Sequence, residues 1–274
     1  VAVGLAPGPE AWLISVGNEL LIGRVVNTNM AWLGRRLTLL GYRVGAGLVV
    51  PDEVEAIAWA FRTAVDRGAK VIVSTGGLGP TFDDKTSEGL AVAMGVELAL
   101  NEEALKMIEE KYSGALTESR VKMARMPRGA RPIPNPVGTA PGVEVEWRGA
   151  LIFLLPGVPA EMEAMFERHV EPKLRSLGPR PHCAEALLRV RGVPESLLAP
   201  VVEEAMKLSA LAYIKSHPRG SELGQHVVDL HITAYGSTAQ SAEEEVERIA
   251  SYLARELQRR GAQVSRASCA GEMP

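Results

Sequence analysis

Residues 75–86 read TGGLGPTFDDKT, three glycines and a proline followed at once by two carboxylates, a lysine and a threonine. Backbone N–H groups in a glycine-rich turn can converge on an oxyanion, and a helix N-terminus just beyond adds partial positive charge. Gly76, Gly77 and Gly79 meet the first condition, and a helix opening near Asp84 to Thr86 meets the second, with Thr81 a further polar group in the loop. Asp83 and Asp84 would repel a phosphate unless a hard cation such as Mg²⁺ stood between, bridging carboxylate and phosphate oxygens with several waters retained. Lys85 would offset residual charge. The competing reading is that both aspartates serve only the electrostatics of the following helix. The spacing matches neither the GxxxxGK[ST] phosphate loop nor the GxGxxG dinucleotide fingerprint.

Two other stretches carry polar or glycine-rich groups after an apolar run. SVGNELLIGRVVNTN holds Asn18, Glu19, Asn27 and Asn29, and LPGVPAEM holds Gly157 between two prolines, with Pro159 near the start of a helix. Singly, an Asn before a helix is an ordinary N-cap and a Pro-Gly pair an ordinary turn.

The elements that would position these loops follow from periodicity. AWLISVG is a short apolar strand, and Met30, Leu33, Leu37 and Leu40 recur at helical spacing until Gly41. YRVGAGLVV reads as a strand. Val54, Ile57, Ala58, Phe61 and Val65 form a helix stripe closed by Gly68, and KVIVS is a strand without a polar face. Such strands belong to parallel sheets covered on both sides, which bind ligands at their carboxyl ends. The three loops are thereby expected on one rim. Further on come a helix over SEGLAVAMG, another over NEEALKMIEEKY, a proline-rich stretch, and a hairpin of VEVEW and ALIFLL. EPKLRSLGPRP reads as a linker. Beyond it the order is strand, helix, strand, strand and long helix, with Pro200 expected to kink the helix PESLLAPVVEEAMK or to mark its start.

Composition bounds the function classes. With 30 Lys plus Arg against 33 Asp plus Glu, net −3, there is no global attraction for nucleic acid or for an anionic membrane, and 46% hydrophobic residues can fill a sizeable core. Apolar runs fall well short of the ~20 residues that span a bilayer. Cys183 and Cys269 stand far apart, which suits neither a disulfide framework nor a zinc site and fits a reducing, cytoplasmic setting. VAVGLAPGPE lacks a basic region and is expected to be a frayed or processed terminus. His226 and His231, five apart on a strand, fall on opposite faces and suit no shared metal. HPRG is expected as a solvated loop, with a basic hairpin tip as the alternative, and Met123 and Met126 as packing residues.

SVGNELLIGRVVNTN, STGGLGPTFDDKT, NPVGTAPG and LLPGVPAEM, in this order, closely resemble the N-terminal part of the CinA (competence/damage-inducible) proteins, a molybdopterin-cofactor-biosynthesis-like domain related to MogA, MoaB and a domain of MoeA. The resemblance covers about residues 11–175 and implies a three-layer α/β/α sandwich with a mostly parallel sheet in residues 1–175. Residues 176–274 would form a small α+β domain of KH type. No GxxG clamp is found there, and no nucleic acid is expected as partner.

For the CinA branch the resemblance implies an enzyme that cleaves the pyrophosphate of ADP-ribose to AMP and ribose 5-phosphate with a divalent metal (Mg, Mn or Co), and a homodimer. Asp84 takes the position of the functional aspartate after the TGG turn, as metal ligand or as the group orienting the attacking water, with Asp83 beside it. Gly76, Gly77 and Gly79 would face the phosphates, and Glu19 and Asn29 belong to the first motif. Leu78 stands where molybdopterin-handling relatives carry Thr, which weighs against the alternative of a molybdopterin-binding or adenylating protein. A nucleotide-binding module without catalysis is the third reading. Many CinA proteins continue into a domain that deamidates nicotinamide mononucleotide. Nothing after SCAGEMP supplies one, so the chain is expected to be a short member or a fragment.

Overall fold

The computed structural model describes residues 8–113, 116–178, 180–222 and 225–268. The chain divides into two compact units, Pro9–Leu37 with Tyr42–Gly178, and the chain from Pro179 onward with the short stretch Thr38–Gly41.

The larger unit begins β1 (Glu10–Val16), α1 (Asn18–Leu21), α2 (Thr28–Leu39), β2 (Arg43–Val50), α3 (Val54–Asp66), β3 (Val71–Thr75) and α4 (Thr86–Met94). It continues with β4 (Leu98–Leu100), α5 (Glu102–Lys111), α6 (Glu118–Lys122), β5 (Arg125–Pro127), β6 (Arg131–Ile133), β7 (Gly142–Trp147), β8 (Ala150–Leu155) and α7 (Pro159–Met165). Its main sheet has the order β2-β1-β3-β8-β7-β6. The first four strands are mutually parallel, and β7 runs antiparallel to both its neighbours.

The layering follows from strand alternation. Trp12, Ile14, Val16, Ile72, Ile152 and Leu154 point to one face, where they share a core with Ile57 and Phe61 of α3 and Leu90 of α4. Leu13 points the other way, towards α2, where a Cβ placed on Gly34 would lie 3.7 Å from it. Helices on both faces explain why all five residues of β3 are buried. This is the expected three-layer α/β/α arrangement with a mostly parallel sheet. The β7–β8 hairpin turns on Arg148 and Gly149, both left-handed at φ 51° and 78°, the pair of signs a two-residue primed turn requires.

Two sequence readings need correction in this unit. The proline-rich stretch is not bare loop, because Arg125–Pro127 pairs with Leu98–Leu100 and Arg131–Ile133 forms the sheet edge, where a missing proline N–H costs nothing in the ladder. EPKLRSLGPRP is not a linker from its start: the chain after α7 passes through one π turn, Phe166–Val170, into α8 (Glu171–Ser176). Pro172 sits in the first turn of α8, a position that tolerates a residue without N–H.

The smaller unit comprises β9 (His182–Arg191), α9 (Glu195–Lys207), β10 (Ala212–Glu222), β11 (Gln225–Gly236), α10 (Ala239–Arg259) and β12 (Gln263–Ala267), with an antiparallel sheet in the order β10-β11-β9-β12. Leu188, Val190, Leu230 and Ile232 pack on α9 and α10 through Leu198, Val201, Ile249 and Leu253. β12 escaped the sequence reading because QVSRA has no apolar alternation. Pro200 lies inside α9, which starts at Glu195, so it does not mark the helix start.

HPRG is part of strand β10, neither a solvated loop nor a hairpin tip; a register shift falls between Pro218 and Ser221, and Arg219 donates to Asp229. His231 faces Glu185 at 3.2 Å. Burial, with Glu185 nearby, pushes the Cys183 thiol up to about 12, so it stays protonated, whereas Cys269 lies outside the described residues. Among the described residues no helix is long and apolar enough to cross a membrane.

Candidate functional site

The parallel strands β1, β3 and β8 end side by side, and the loops leaving them line one cavity of about 490 Å³, within the ordinary range for small-molecule sites. Gly76 and Gly77 follow β3 with φ 94° and 66°. A Cβ on Gly76 would lie 2.2 Å from the Val16 carbonyl oxygen, and one on Gly77 would lie 2.3 Å from Thr86 Oγ1. Only glycine allows both the left-handed backbone and these approaches.

Hydrogen bonds fix the turn onto helix α4. Thr86 Oγ1 donates to Gly76 O at 2.8 Å, and Thr86 N–H donates to Gly77 O at 3.1 Å. Gly76 N–H donates to Leu155 O at 3.1 Å, so this amide does not face a phosphate as the sequence suggested. The N–H groups of Gly77, Leu78 and Gly79 make no hydrogen bond among the described residues. Three successive donors without a protein acceptor, on a turn that leads into a helix N-terminus, are groups that can take an oxyanion.

Asp83 and Asp84 neither cap α4 nor stand apart. Helix α4 has Lys85 at its N-cap and no side-chain cap. Asp84 Oδ2 accepts from Thr81 N–H at 2.8 Å and lies 2.6 Å from Thr81 Oγ1, which is also 2.5 Å from Asp83 Oδ1. Thr81 has one hydroxyl proton, so it serves one carboxylate at a time and draws both to one point. The Thr81 hydroxyl, helped by a backbone amide and by the charges of Lys122 and Lys85, holds the Asp83 carboxyl below the usual carboxylate range, with burial opposing. Asp83 is therefore ionised at neutral pH. Lys122 of α6 also donates through Nζ to Thr81 O.

The β1 loop supplies the opposite wall. Glu19 folds its carboxylate back over Gly17, within 2.4 Å of where a Cβ would stand. Asn27 is the N-cap of α2, its Oδ1 accepting from Met30 N–H at 3.1 Å. Asn29 is 9% exposed; its Nδ2 donates to Gly157 O at 2.8 Å, while its Oδ1 is buried without a partner among the described residues. An unpaired buried acceptor costs about 1–3 kcal/mol, so it marks a place where something other than stability is served.

Asn135 organises the third wall. Its Oδ1 accepts from the N–H groups of Val137 and Gly138 at 3.1 and 2.8 Å, and its Nδ2 donates to Ala140 O at 3.0 Å and Glu161 Oε2 at 2.7 Å.

The cavity thus gathers Gly76, Gly77, Gly79, Thr81, Asp83, Asp84, Glu19, Asn29, Gly157 and Pro159. Asn18 and Lys85 are not among the lining residues. Asn18 offers its backbone N–H to Asp52 Oδ2 at 2.8 Å. Sequence reasoning missed Asp52, Glu161, Asn135 and Lys122. Glu161 lies within LPGVPAEM and Asn135 within NPVGTAPG, so the motifs held the signal; Lys122 arrives from a distant helix and had none. Met123 and Met126 are buried as expected, and Met123 also lines the cavity.

Five carboxylates, from Glu19, Asp52, Asp83, Asp84 and Glu161, line the space, and no Lys, Arg or His does among the described residues. No group of three or more His, Cys, Asp or Glu there is placed to hold a metal by itself. The pair Asp83 and Asp84 still fits Mg²⁺, which takes one or two carboxylates and completes its shell with phosphate oxygens and water.

A protein of Pyrobaculum aerophilum is 56% identical over 236 residues, 85% of this chain and 88% of that protein. One of Aeropyrum pernix is 50% identical over 260 residues, 94% of this chain and 97% of that protein. The crystal structure of the protein CinA, of unknown function, from Thermoplasma acidophilum matches with a TM-score of 0.58 at 50% identity, covering 60% of this chain and 98% of that one. The family described as "Probable molybdopterin binding domain" matches residues 12–176, the span that carries the cavity, and the chain belongs to that family.

Proposed function

We propose that the chain is a metal-dependent hydrolase that cleaves the pyrophosphate of ADP-ribose to AMP and ribose 5-phosphate. The observation that carries this reading is the run of N–H groups at Gly77, Leu78 and Gly79 without a protein acceptor, set in a cavity whose side chains, among the described residues, bring carboxylates and no cation. A phosphate drawn there by these groups needs a counter-charge, and Asp83 with Asp84 is the pair that would hold it. The choice of ADP-ribose rests on the likeness to CinA proteins. Val25, Val26 and Val158, each at least half exposed at the cavity, offer apolar surface for a flat base.

In this reading the N–H groups of Gly77, Leu78 and Gly79 hold non-bridging phosphate oxygens, and the N-terminus of α4 favours the developing negative charge. Thr81 keeps Asp84 in place through its backbone N–H and shares its hydroxyl between Asp84 and Asp83, and Lys122 limits the repulsion between Asp83 and the phosphates. A divalent ion, when bound, polarises a phosphoryl oxygen and lowers the pKa of a water. Water adds through oxygen to one phosphorus, the bridging P–O bond breaks, and the water's protons are released or passed to the leaving phosphate. Gly157, whose carbonyl takes Asn29 Nδ2, closes the cavity beside Gly76. The smaller unit is given no part in the chemistry.

The test is product analysis by chromatography with ADP-ribose, with and without Mg²⁺, Mn²⁺ or Co²⁺. Metal-dependent AMP is expected, with Asp84→Asn slowing turnover by about 100-fold or more. Nucleotide binding without AMP under any of the three ions would overturn the hydrolase and leave a pterin-binding or nucleotide-sensing protein.

A further inference from the structure

One wall of the cavity is a segment that the rest of the fold holds only at its ends. Residues 18–26 run between Gly17, whose N–H donates to Val50 O at 3.1 Å, and Asn27, whose Nδ2 donates to Ser15 Oγ at 2.9 Å. Within the segment the backbone bonds to itself. Ile22 N–H donates to Asn18 O, Gly23 N–H to Leu20 O, and the N–H groups of Arg24 and Val25 to Glu19 O, at 2.9–3.2 Å. Apart from the ends, its one hydrogen bond to the body of the unit is Asn18 N–H to Asp52 Oδ2, and none of its side chains makes a hydrogen bond or ion pair among the described residues. None of its residues is buried, although Leu21, Ile22, Val25 and Val26 are large and apolar. The other loops that line the cavity carry Phe82, Val137 and Val158, also exposed, so seven of the fourteen exposed large apolar side chains among the described residues lie around this one mouth. Apolar surface gathered in this way marks a place where something is covered.

We propose that residues 18–26 are a strap that closes over a phosphate ligand and its divalent ion, packing Ile22 and its apolar neighbours against Phe82, Val137 and Val158. Two opposed terms decide when it closes. Burial of the exposed apolar groups favours closing in every state. Glu19 rides on the strap, however, and closing over an empty cavity would confine it with Asp52, Asp83, Asp84 and Glu161, away from water and without a cationic lining side chain among the described residues. A divalent ion that enters with the phosphate offsets this repulsion, so the ligand favours the closed state over the open one, as any ligand-driven closure requires. The internal hydrogen bonds let the strap move as one piece, with the change in backbone angles confined to its two ends. Closing shuts bulk water out, which strengthens the hydrogen bonds to the phosphate from the N–H groups of Gly77, Leu78 and Gly79. The inference rests on the reading of the cavity as a phosphate-ligand site, and it adds the conformational step that completes that site.

The experiment uses Ile22→Ser and Phe82→Ser in the whole chain, because these side chains are 74% and 87% exposed and neither lines the cavity. They can affect a ligand only if something brings them under cover. The probe is AMP in Mg²⁺, a product that the proposed reaction leaves intact. By titration calorimetry each variant is expected to bind AMP about tenfold more weakly than the wild type. The thermal midpoint of the ligand-free chain should stay within about 2 °C of wild type, as for other surface substitutions. At equal occupancy, AMP is expected to slow hydrogen exchange of the backbone N–H groups of residues 18–26 about tenfold in the wild type and about twofold or less in Ile22→Ser. Wild-type affinity in both variants, or the same slowing in Ile22→Ser as in the wild type, would overturn the strap and leave the phosphate site standing. A wild-type dimer that either variant converts to a monomer, read by light scattering, would assign the exposed apolar groups to a second copy and overturn it as well. If AMP with Mg²⁺ does not bind the wild type, the phosphate-ligand reading fails and takes this inference with it.

Discussion

Two sets of buried or half-buried polar groups in this chain are treated in opposite ways. In the smaller unit Asp229, 2% exposed, takes Arg189 through Nε and Nη2 at 2.8 and 3.0 Å, and Arg219 through Nε at 2.7 Å. The Arg189 hydrogen bond above all, with Arg219 and against burial, holds the Asp229 carboxyl below the usual range. At the cavity, among the described residues, five carboxylates meet no cationic lining side chain, Asn29 Oδ1 has no donor, and three backbone N–H groups have no acceptor. A polar group that holds the fold together is paired within the fold. Groups left unpaired at one point, on both the donor and the acceptor side, describe a partner from outside.

The comparison is broken most forcefully at Asp229. Asp229→Ala removes the buried carboxylate that both guanidinium groups share and is expected to cost on the order of 3–5 kcal/mol, read as a lower urea midpoint. Binding of ribose 5-phosphate by the folded fraction should not change. Asp84→Asn should do the reverse, leaving the urea midpoint near wild type while AMP formation falls. Were Asp84→Asn the more destabilising of the two, its carboxylate would be structural and the contrast would collapse.

A smaller effect is expected at Gly76. Gly76→Ala puts a methyl group into the Val16 carbonyl at a left-handed φ and should cost about 1–3 kcal/mol. Because the Gly76 amide serves Leu155, that loss should appear in the thermal midpoint ahead of any loss of phosphate affinity.

The mildest test is acid. The folded pKa of Asp229 lies below its unfolded value of about 3.9, so its contribution is fully present above that value and disappears as pH falls through it towards the folded pKa. Urea midpoints between pH 5 and pH 3 should fall more steeply in the wild type than in Asp229→Ala. Parallel slopes would show that the two arginines do not depress this carboxyl.

The sequence was enough for the elements that repeat. KVIVS announced a strand buried on both faces, Gly41, Gly68 and Gly95 announced helix ends, and TGGLGPTFDDKT announced a turn leading into a helix. These are consequences of short-range geometry, since side-chain alternation and positive φ are decided within a few residues. β12 and the π turn before Pro172 were not legible, because one depends on pairing with β9, far back in the chain, and the other on the packing of the helix around a proline.

The candidate site divides along the same line. Residue types and order pointed to Asp83, Asp84 and Gly157 on the strand-end loops and to Asn29 beside them, which the structure places in the first turn of α2. Which of their atoms are free was a tertiary matter. Asp84 is bound to Thr81, the Gly76 amide to Leu155 and Glu161 Oε2 to Asn135, and in each case the hydrogen bond is set by how the loops fold against one another. A sequence lists donors and acceptors, whereas their pairing depends on distances of about 3 Å between residues far apart in the chain. Only the folded structure determines which groups remain to meet a ligand.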